Sequence, residues 1–336
     1  MNTLSTLQPL FDLKHWCYAG LILLAACRPQ YSPLSSIEVA RNGINGGALS
    51  RDGQYSVVGS VFHGGSLWRN SDAERLYNWN HSKDSTDDRI IISADINATN
   101  QRALTADAAT LVLWDVSTGA ATRFWTSPAE VLDSKLDIEG RYALLGLADH
   151  SAVIFDAIQG GITRKFSHKG RVRSVDLSDD NLIAITGSED HSAIIWQVSN
   201  SKPLFTIQHK EDVQFVKLSY DGRYAVTAAQ FDRAELWGVE KQRSIAQLPL
   251  KKERLKRGLY ITSARFSDDS KQLLIGYPNR TIELRTTQSL KLLKTWTLPK
   301  RKHWQPTNAA VIDVAFDQQD KQYRAMSSDG FVHLLQ

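Results

Sequence analysis

The sequence predicts an all-β fold, a seven-bladed β-propeller of four-stranded units that is closed by a strand from near the N-terminus. Three observations predict it: short apolar runs bounded by turn residues, a repeat of nearly constant length, and an incomplete last repeat. A period of about 40–45 residues with four strands per unit is typical of propeller blades. Long stretches with the 3.6-residue period of an amphipathic helix are almost absent, so we expect little helix.

Short strands follow from the apolar runs, which are rich in β-branched residues. In the clearest unit, the turn at residues 178–181 precedes the apolar run 182–186, and a Gly/Ser/Asp turn separates that run from residues 192–196. The units before and after it have the same order. Runs of this length between Asp, Gly and Ser clusters are typical of strands joined in hairpins.

The repeat length is marked by the residue that ends the second apolar run of each unit. Successive intervals are 46, 41, 41, 41, 48 and 50 residues. Three equal intervals in a row are hard to obtain by chance. The number of marks predicts seven blades, and an eighth requires a further unit within a long loop. The marks are Trp68, Trp114, Phe155, Trp196, Trp237, Arg285 and Leu335.

The two ends of the chain complement each other. The last unit stops at residues 330–336, which correspond to the third strand of a blade, so its fourth strand is missing. Residues 35–40 are a short strand-like segment that can supply it. Such pairing joins the first and last blades and removes an exposed sheet edge that would invite aggregation.

The units resemble WD repeats over roughly residues 34–336. Trp114-Asp115 is the one literal Trp-Asp pair, and the fourth unit has the fuller pattern, with His168 and with Asp190 six residues before Trp196. The first, second and fifth units lack an acid six residues before their marks. The corresponding position of the other units is occupied by Asp149, Asn279 and Asp329.

The resemblance implies a structural role for three polar residues of the fourth unit. In WD-repeat blades, a buried chain of hydrogen bonds joins Asp, His, Ser or Thr, and Trp, so we expect His168, Asp190 and Trp196 to form such a network. Each bond of this kind contributes roughly 0.5–1.5 kcal/mol to stability. The alternative, a catalytic His–Asp dyad, is the weaker interpretation of the same residues.

The N-terminus has the features of an export signal. An apolar stretch of 11 residues, 16–26, is too short for a bilayer-spanning helix, which needs roughly 20, and suits a secretory signal of about 7–15. It ends in Leu24-Ala25-Ala26-Cys27, which resembles the lipobox of bacterial lipoproteins. That resemblance implies cleavage before Cys27 and acylation of its sulfur. An uncleaved signal anchor or a short apolar helix remains the alternative.

The domain organisation follows from these two resemblances. We expect a lipoprotein signal peptide at 1–26, a lipidated tether at 27–34 and the propeller at 35–336. Arg28 after the cysteine resembles the pattern of lipoproteins sorted to the outer membrane, which places the chain on its periplasmic side. Because a closing fourth strand enters from the face opposite the inter-blade loops, we expect the tether to leave from that opposite face.

Catalytic, metal-binding and cofactor motifs are not found. The sequence has no zinc-protease, nucleophile-elbow, phosphate-loop or dinucleotide motif, and its nine histidines are scattered. The turn 114–119, followed by Trp125, weakly resembles the docking motif of quinoprotein propellers, but other units lack it. We therefore expect no enzyme activity, no cofactor and no metal. A propeller enzyme or quinoprotein-like cofactor binder, with its site in the central channel, is the alternative.

Two basic stretches are the candidate partner contacts. The net charge of +4, from 40 basic and 36 acidic residues, is too small to indicate nucleic acid binding. The stretches lie in the loops before and after unit six, on one face of a propeller. They are either solvated loops or a patch for an acidic partner. Their residues are Lys251, Lys252, Arg254, Lys256, Arg257, Lys300, Arg301, Lys302 and Trp304.

Binding is therefore the predicted function. We expect a monomeric propeller, anchored to the membrane through Cys27, that acts as a protein-binding scaffold in the bacterial cell envelope. A stiff ring with variable loops suits such a role. A purely structural part in envelope assembly is a further possibility that the sequence leaves open.

Overall fold

The structure is a computed structural model that describes residues 30–81, 90–248, 250, 260–301, 309–317 and 322–336. Within these ranges, the regular secondary structure consists of 28 β-strands, which form seven four-stranded antiparallel sheets. The innermost strand of each sheet contacts those of its two neighbours, so the sheets close into a ring. The predicted seven-bladed all-β propeller is confirmed. The described residues include no helix that is long and apolar enough to cross a membrane.

In blades one to six, the innermost strand comes first in the sequence and the outermost strand comes last. Blade seven differs only in that its outermost strand is β1. Blade one has β2 (Ile44–Leu49), β3 (Tyr55–Ser60), β4 (Gly64–Arg69) and β5 (Glu74–Trp79), and blade two has β6 (Ser93–Ile96), β7 (Arg102–Ala106), β8 (Thr110–Asp115) and β9 (Ala121–Thr126). Blade three has β10 (Val131–Leu136), β11 (Tyr142–Leu147), β12 (Ser151–Asp156) and β13 (Ile162–Ser167).

The remaining blades repeat this order. Blade four has β14 (Val172–Leu177), β15 (Ile183–Ser188), β16 (Ser192–Gln197) and β17 (Lys202–Gln208), and blade five has β18 (Val213–Leu218), β19 (Tyr224–Ala229), β20 (Ala234–Gly238) and β21 (Arg243–Gln247). Blade six has β22 (Ser263–Phe266), β23 (Gln272–Gly276), β24 (Thr281–Thr286) and β25 (Leu292–Thr297), and blade seven has β26 (Val311–Asp317), β27 (Gln322–Ser327), β28 (Phe331–Leu335) and β1 (Ser35–Glu38).

Blade seven closes the ring with a strand from each end of the chain. Its order is β1-β28-β27-β26, and β1 pairs antiparallel with β28, with Ser35 opposite Leu334 and Glu38 opposite Phe331. The predicted closure by residues 35–40 is confirmed. The pairing covers an edge strand whose backbone groups would otherwise be open to another chain.

The hairpin turns after the innermost strands are built from a Ser-x-Asp pattern. In blade four the Ser178 hydroxyl donates to Asp180 at 2.6 Å, and it accepts the Ile183 N–H at 3.0 Å. Blade five repeats this arrangement with Ser219 and Asp221. Small hydroxyl and carboxylate side chains replace backbone partners in such turns, which is why these residues recur at the blade period.

The apolar core lies between neighbouring blades. Side chains of one sheet pack against those of the next, as where Trp79 of blade one stacks on Trp114 of blade two with ring centroids 5.0 Å apart. Trp296 of blade six is fully buried, and its indole N–H donates to the Gln336 carbonyl of blade seven at 3.0 Å. Because both faces of each sheet are buried, each blade is packed against its two neighbours.

The segment before β1 lies along the outer edge of blade six. Tyr31 forms a parallel bridge with Trp296, and its N–H donates to the Thr295 carbonyl at 3.0 Å. Gln30 hydrogen-bonds Thr297, after which the chain enters the loop between blades six and seven. Residues 30–31 therefore lie against the rim of the ring, whereas the residues of the tether before Gln30 lie outside the described ranges, so the face from which the anchor leaves stays a prediction.

Candidate functional site

The central channel is lined by charged side chains of the innermost strands. Asp95, Lys135, Asp176 and Lys217 occupy equivalent positions in blades two to five, at intervals of 40, 41 and 41 residues. The Lys135 ammonium lies 2.8 Å from an Asp95 oxygen, and that of Lys217 lies 3.3 Å from Asp176. Opposite charges in adjacent blades thus alternate and pair around the axis.

The same carboxylates also hold the blades together through the backbone. Asp95 accepts the Leu136 N–H at 2.8 Å, and Asp176 accepts the Leu218 N–H at the same distance. In both cases the donor belongs to the next blade. A carboxylate that binds both an ammonium and a backbone N–H forms charge-assisted hydrogen bonds, which are stronger than neutral ones.

Arg265 and Asp313 continue this arrangement across blades six, seven and one. The Arg265 guanidinium is buried and lies 2.8 Å from Asp313, and it donates to the carbonyl oxygens of Leu49 and Ser50 at 3.0 Å. Asp313 also accepts the Leu49 N–H at 2.8 Å. These channel residues were not predicted from the sequence. The recurrence of Asp95, Lys135, Asp176, Lys217 and Arg265 at the blade interval was a signal for them, whereas Asp313 stands two residues before the equivalent position, which Ala315 occupies.

Asp133 is the acid of the channel with a strongly perturbed pKa. Burial raises the pKa of its carboxyl to about 6, although the backbone N–H groups of Val175 and Ser134 donate to it at 2.9 Å and oppose the shift. The group therefore changes charge close to neutral pH, in a wall of the channel.

One mouth of the channel is covered by Arg51, which extends from blade one across the axis. Its guanidinium lies 2.7 Å from Asp179 of blade four and 2.8 Å from Asp268 of blade six. It also stacks on the Tyr220 ring of blade five, 3.5 Å from the centroid. The opposite end, where the inter-blade loops lie, opens into a polar cavity of about 270 Å³ whose walls include Asp133, Arg173 and Lys217. The channel is thus a funnel.

The structure brings His168, Asp190 and Trp196 together in blade four. His168 Nδ1 lies 2.9 Å from Asp190 Oδ2, and its Nε2 lies 2.6 Å from the Thr186 hydroxyl, which also accepts the Trp196 indole N–H at 2.8 Å. Burial alone would raise the pKa of Asp190, but hydrogen bonds from His168 and Ser192 outweigh it and lower that pKa. The network thus joins the connection from blade three, which contains His168, to the second and third strands of blade four.

Two further blades contain the same network, contrary to the expectation that the second and fifth units lack the acid. In blade two, His81 bonds Asp107 at 3.1 Å and Thr105 at 2.7 Å, and Trp114 donates to Thr105 at 2.7 Å. In blade five, the corresponding residues are His209, Asp232, Thr227 and Trp237, and His209 Nδ1 lies 3.4 Å from Asp232, an ion-pair distance longer than the hydrogen bonds of the other two blades.

The expectation failed because it fixed the acid at six residues before the mark. Asp107 precedes Trp114 by seven residues and Asp232 precedes Trp237 by five, so the acid occupies a different position in the turn of each blade. Blade six replaces the network with Tyr277, Glu283 and Arg285, in which Glu283 accepts from both partners at 3.0 and 2.7 Å.

Only part of the two predicted basic stretches falls in the described ranges. Lys251, Lys252, Arg254, Lys256, Arg257, Lys302 and Trp304 lie outside the described residues. Arg301 is engaged within the ring: it forms an ion pair with Glu38 of β1, and it donates to the Asp329 carbonyl at 2.7 Å. Lys300 beside it is half-buried. Cys27 also lies outside the described residues.

Comparison with known families agrees with the blade-four network. Residues 160–197 match the family WD40, described as "WD domain, G-beta repeat". The chain is a seven-bladed β-propeller that contains a WD40 repeat. The matched segment runs from the last strand of blade three through the third strand of blade four, so the sequence repeat is offset from the blades by one strand. No curated protein matches the sequence.

Proposed function

We propose that the chain is a lipid-anchored scaffold of the bacterial cell envelope that binds a protein partner on the face with the inter-blade loops. WD40 propellers generally bind proteins. The anchor is Cys27, on the periplasmic side of the outer membrane. The observation that carries the binding proposal is a pair of exposed phenylalanines on that face, Phe62 and Phe231.

Both phenylalanines stand six residues before the residue that marks their blade. Asp190 has this position in blade four, where it is hydrogen-bonded, whereas Phe62 and Phe231 are 57% and 60% exposed. Phe231 has a φ of 58°, a left-handed conformation that is rare for a bulky residue. Strained residues cluster at functional sites, and aromatic side chains are common anchors of protein interfaces.

The funnel on the same face supports recognition over catalysis. Asp95, Asp176 and Asp313 are each engaged with a cation and a backbone N–H, as described above, and Arg173 pairs with Glu189. Such groups offer a fixed polar surface. The basic stretches 251–257 and 300–304 precede and follow the strands of blade six in the sequence, and most of their residues lie outside the described ranges. The proposal assigns them an acidic part of the partner as their ligand.

Recovery of partners from detergent-solubilised membranes tests the binding proposal. The full chain should retain a stoichiometric partner, and Phe62→Ala with Phe231→Ala should lose it. Phe124→Ala is the matched control, because Phe124 is equally exposed but lies on the outer strand of blade two. Equal recovery from both variants, or a bound cofactor in place of a protein, contradicts the proposal.

Metabolic labelling with palmitate tests the anchor separately. The wild-type chain should incorporate label, and Cys27→Ala should not. An unlabelled wild-type chain would contradict the lipoprotein proposal without affecting the partner experiment.

A further inference from the structure

A β-bulge recurs at one place on the outer strands. In each of blades one to six, one residue of the outer strand has no partner in the register with the third strand. It lies beside the residue of the third strand that marks the blade. Bulges re-aim side chains relative to the sheet and are conserved structural devices rather than defects. The bulged residues are Leu76, Thr122, Thr163, Leu204, Ile245 and Leu293.

The side chains at this position fall into three groups, since blade one has the half-buried Leu76. In blades two and three, the hydroxyls of Thr122 and Thr163 donate to backbone carbonyls at 2.9 and 3.1 Å. In blades four to six, the position is aliphatic and open to solvent: Leu204, Ile245 and Leu293 are 39%, 38% and 44% exposed. Single exposed apolar residues are ordinary, but here three successive blades repeat one.

A basic residue stands two positions before each of these aliphatic residues. Lys202, Arg243 and Lys291 are all exposed. The equivalent positions of blades one to three hold an acid or a small residue, namely Glu74, Ala120 and Gly161. A base and an aliphatic side chain therefore coincide on adjacent blades four, five and six. We name this set the rim arc: Lys202, Leu204, Arg243, Ile245, Lys291 and Leu293.

The sign of the charge at the rim is not explained by protection of sheet edges. A charge of either sign blocks pairing between edge strands, and the chain as a whole has nearly equal numbers, 40 basic and 36 acidic. The outer strands of blades one to six nevertheless contain a single acid, Glu74, which pairs with Arg69. Their seven bases are Arg75, Arg123, Arg164, Lys165, Lys202, Arg243 and Lys294.

The tether reaches the ring at one end of the rim arc. Tyr31 is bonded to the outer strand of blade six, and the Lys294 ammonium lies 4.2 Å from the centroid of its ring. Cys27 precedes Tyr31 by four residues, a separation of at most about 14 Å along an extended chain. A lipid on Cys27 would thus place the rim of blade six close to the bilayer surface, whatever path those residues take.

We propose that the rim arc docks onto anionic phospholipid headgroups, so that the propeller stands with its edge on the membrane. The inference rests on the proposed anchor at Cys27. The three bases bind headgroup phosphates, and the three aliphatic side chains enter the boundary between headgroups and acyl chains, a combination typical of interfacial binding. Edge-on contact leaves the face with Phe62 and Phe231 free for a partner.

Flotation with vesicles of residues 28–336, which contain all 28 strands of the ring, tests the rim arc. This chain lacks both Cys27 and the apolar stretch 16–26, so that neither acyl groups nor the signal dominates the binding, and the vesicles are phosphatidylcholine alone or mixed with phosphatidylglycerol. Lys202→Glu, Arg243→Glu and Lys291→Glu together should lower binding to the mixed vesicles about 100-fold, given the contribution of each base near an anionic surface. Binding of the chain without the three charge reversals should also fall as salt is added.

The matched control reverses three exposed bases on the outer strands of blades one to three: Arg75→Glu, Arg123→Glu and Arg164→Glu. It has the same change in net charge and should retain most of the binding. Equal losses from the two triple variants, no loss from either, or a loss that is the same with neutral vesicles would each overturn the rim arc. Palmitate labelling of Cys27 is a separate readout, so failure of the anchor does not change the vesicle result.

Discussion

His333 joins the two ends of the chain through one imidazole. Its Nδ1 lies 2.7 Å from the hydroxyl of Ser36 in β1, and its Nε2 lies 3.0 Å from that of Ser327 in β27. The ring is almost fully buried, and burial lowers its pKa to about 4. The network that closes blade seven is therefore neutral at physiological pH.

The closure should weaken in mild acid. The unfolded chain binds a proton at His333 below its ordinary pKa of about 6.5, whereas the folded chain does so only near 4. The free energy of unfolding should thus fall between pH 6.5 and 4, by about 3 kcal/mol from this residue. Urea unfolding at a series of pH values measures it.

The pH dependence should belong to the buried imidazole. His333→Gln should lower stability at pH 7, because the hydrogen bonds are disturbed, and should flatten the dependence below pH 6.5. His150→Gln, at an exposed histidine, should retain the wild-type dependence. Identical pH profiles for His333→Gln and wild type would contradict this assignment.

At the level of the element, β1 depends on the close approach of Gly330 to the backbone before the first blade. A Cβ at Gly330 would lie 1.8 Å from the Ala40 carbonyl oxygen, whereas one at Gly161 would meet nothing within 4 Å. The two glycines have φ values of 100° and 101°. They share the same conformational demand and differ in the space around them.

Alanine substitution at Gly161 and at Gly330 separates the cost of the left-handed backbone conformation from the cost of the steric clash. Gly161→Ala should cost about 1–2 kcal/mol through the left-handed conformation alone. Gly330→Ala should cost at least about 3 kcal/mol more than that, because overpacking is added and the backbone cannot give way without releasing β1. Denaturant unfolding measures both, and hydrogen exchange at Val39 and Ala40 should rise only in Gly330→Ala. Equal costs for the two variants would argue against the steric role of Gly330.

The elements were predictable where the information is local or periodic. The equal spacing of Trp114, Phe155, Trp196 and Trp237 predicts the blades, because each strand pair has its own turn residues. The networks of blades two and five were missed because the acid occupies a different position in the turn of each blade, so its spacing from the tryptophan varies although it contacts the equivalent histidine. The docking of Tyr31 was missed because its partner, Trp296, is far along the chain and no local pattern indicates such contacts.

At the level of the whole molecule, stiffness comes from contacts that cross from blade to blade at the axis. Carboxylates of blades two, four and seven accept backbone N–H groups of the following blade. Arg51 adds contacts from blade one to blades four, five and six. A ring held in this way moves little as a whole, so the proposed recognition of a partner would fall to the loops and the exposed phenylalanines.

Asp313 should be the most sensitive of these contacts, because it completes the ring between blades seven and one. Asp313→Asn keeps an oxygen for the Leu49 N–H but leaves the Arg265 guanidinium buried without its carboxylate. Loss of one partner of a buried pair costs about 3–5 kcal/mol, and the two carbonyls that Arg265 still contacts place this variant at the lower end.

Asp179→Ala is the control at the other end of the channel. It removes a carboxylate from Arg51, which keeps Asp268 and the Tyr220 ring, and the pair is more exposed. The expected cost is at most about 1 kcal/mol, typical of exposed ion pairs. Urea unfolding compares the two variants. If Asp313→Asn is no less stable than Asp179→Ala, closure of the ring does not depend on the axial carboxylates, and the β1–β28 pairing alone holds blades seven and one together.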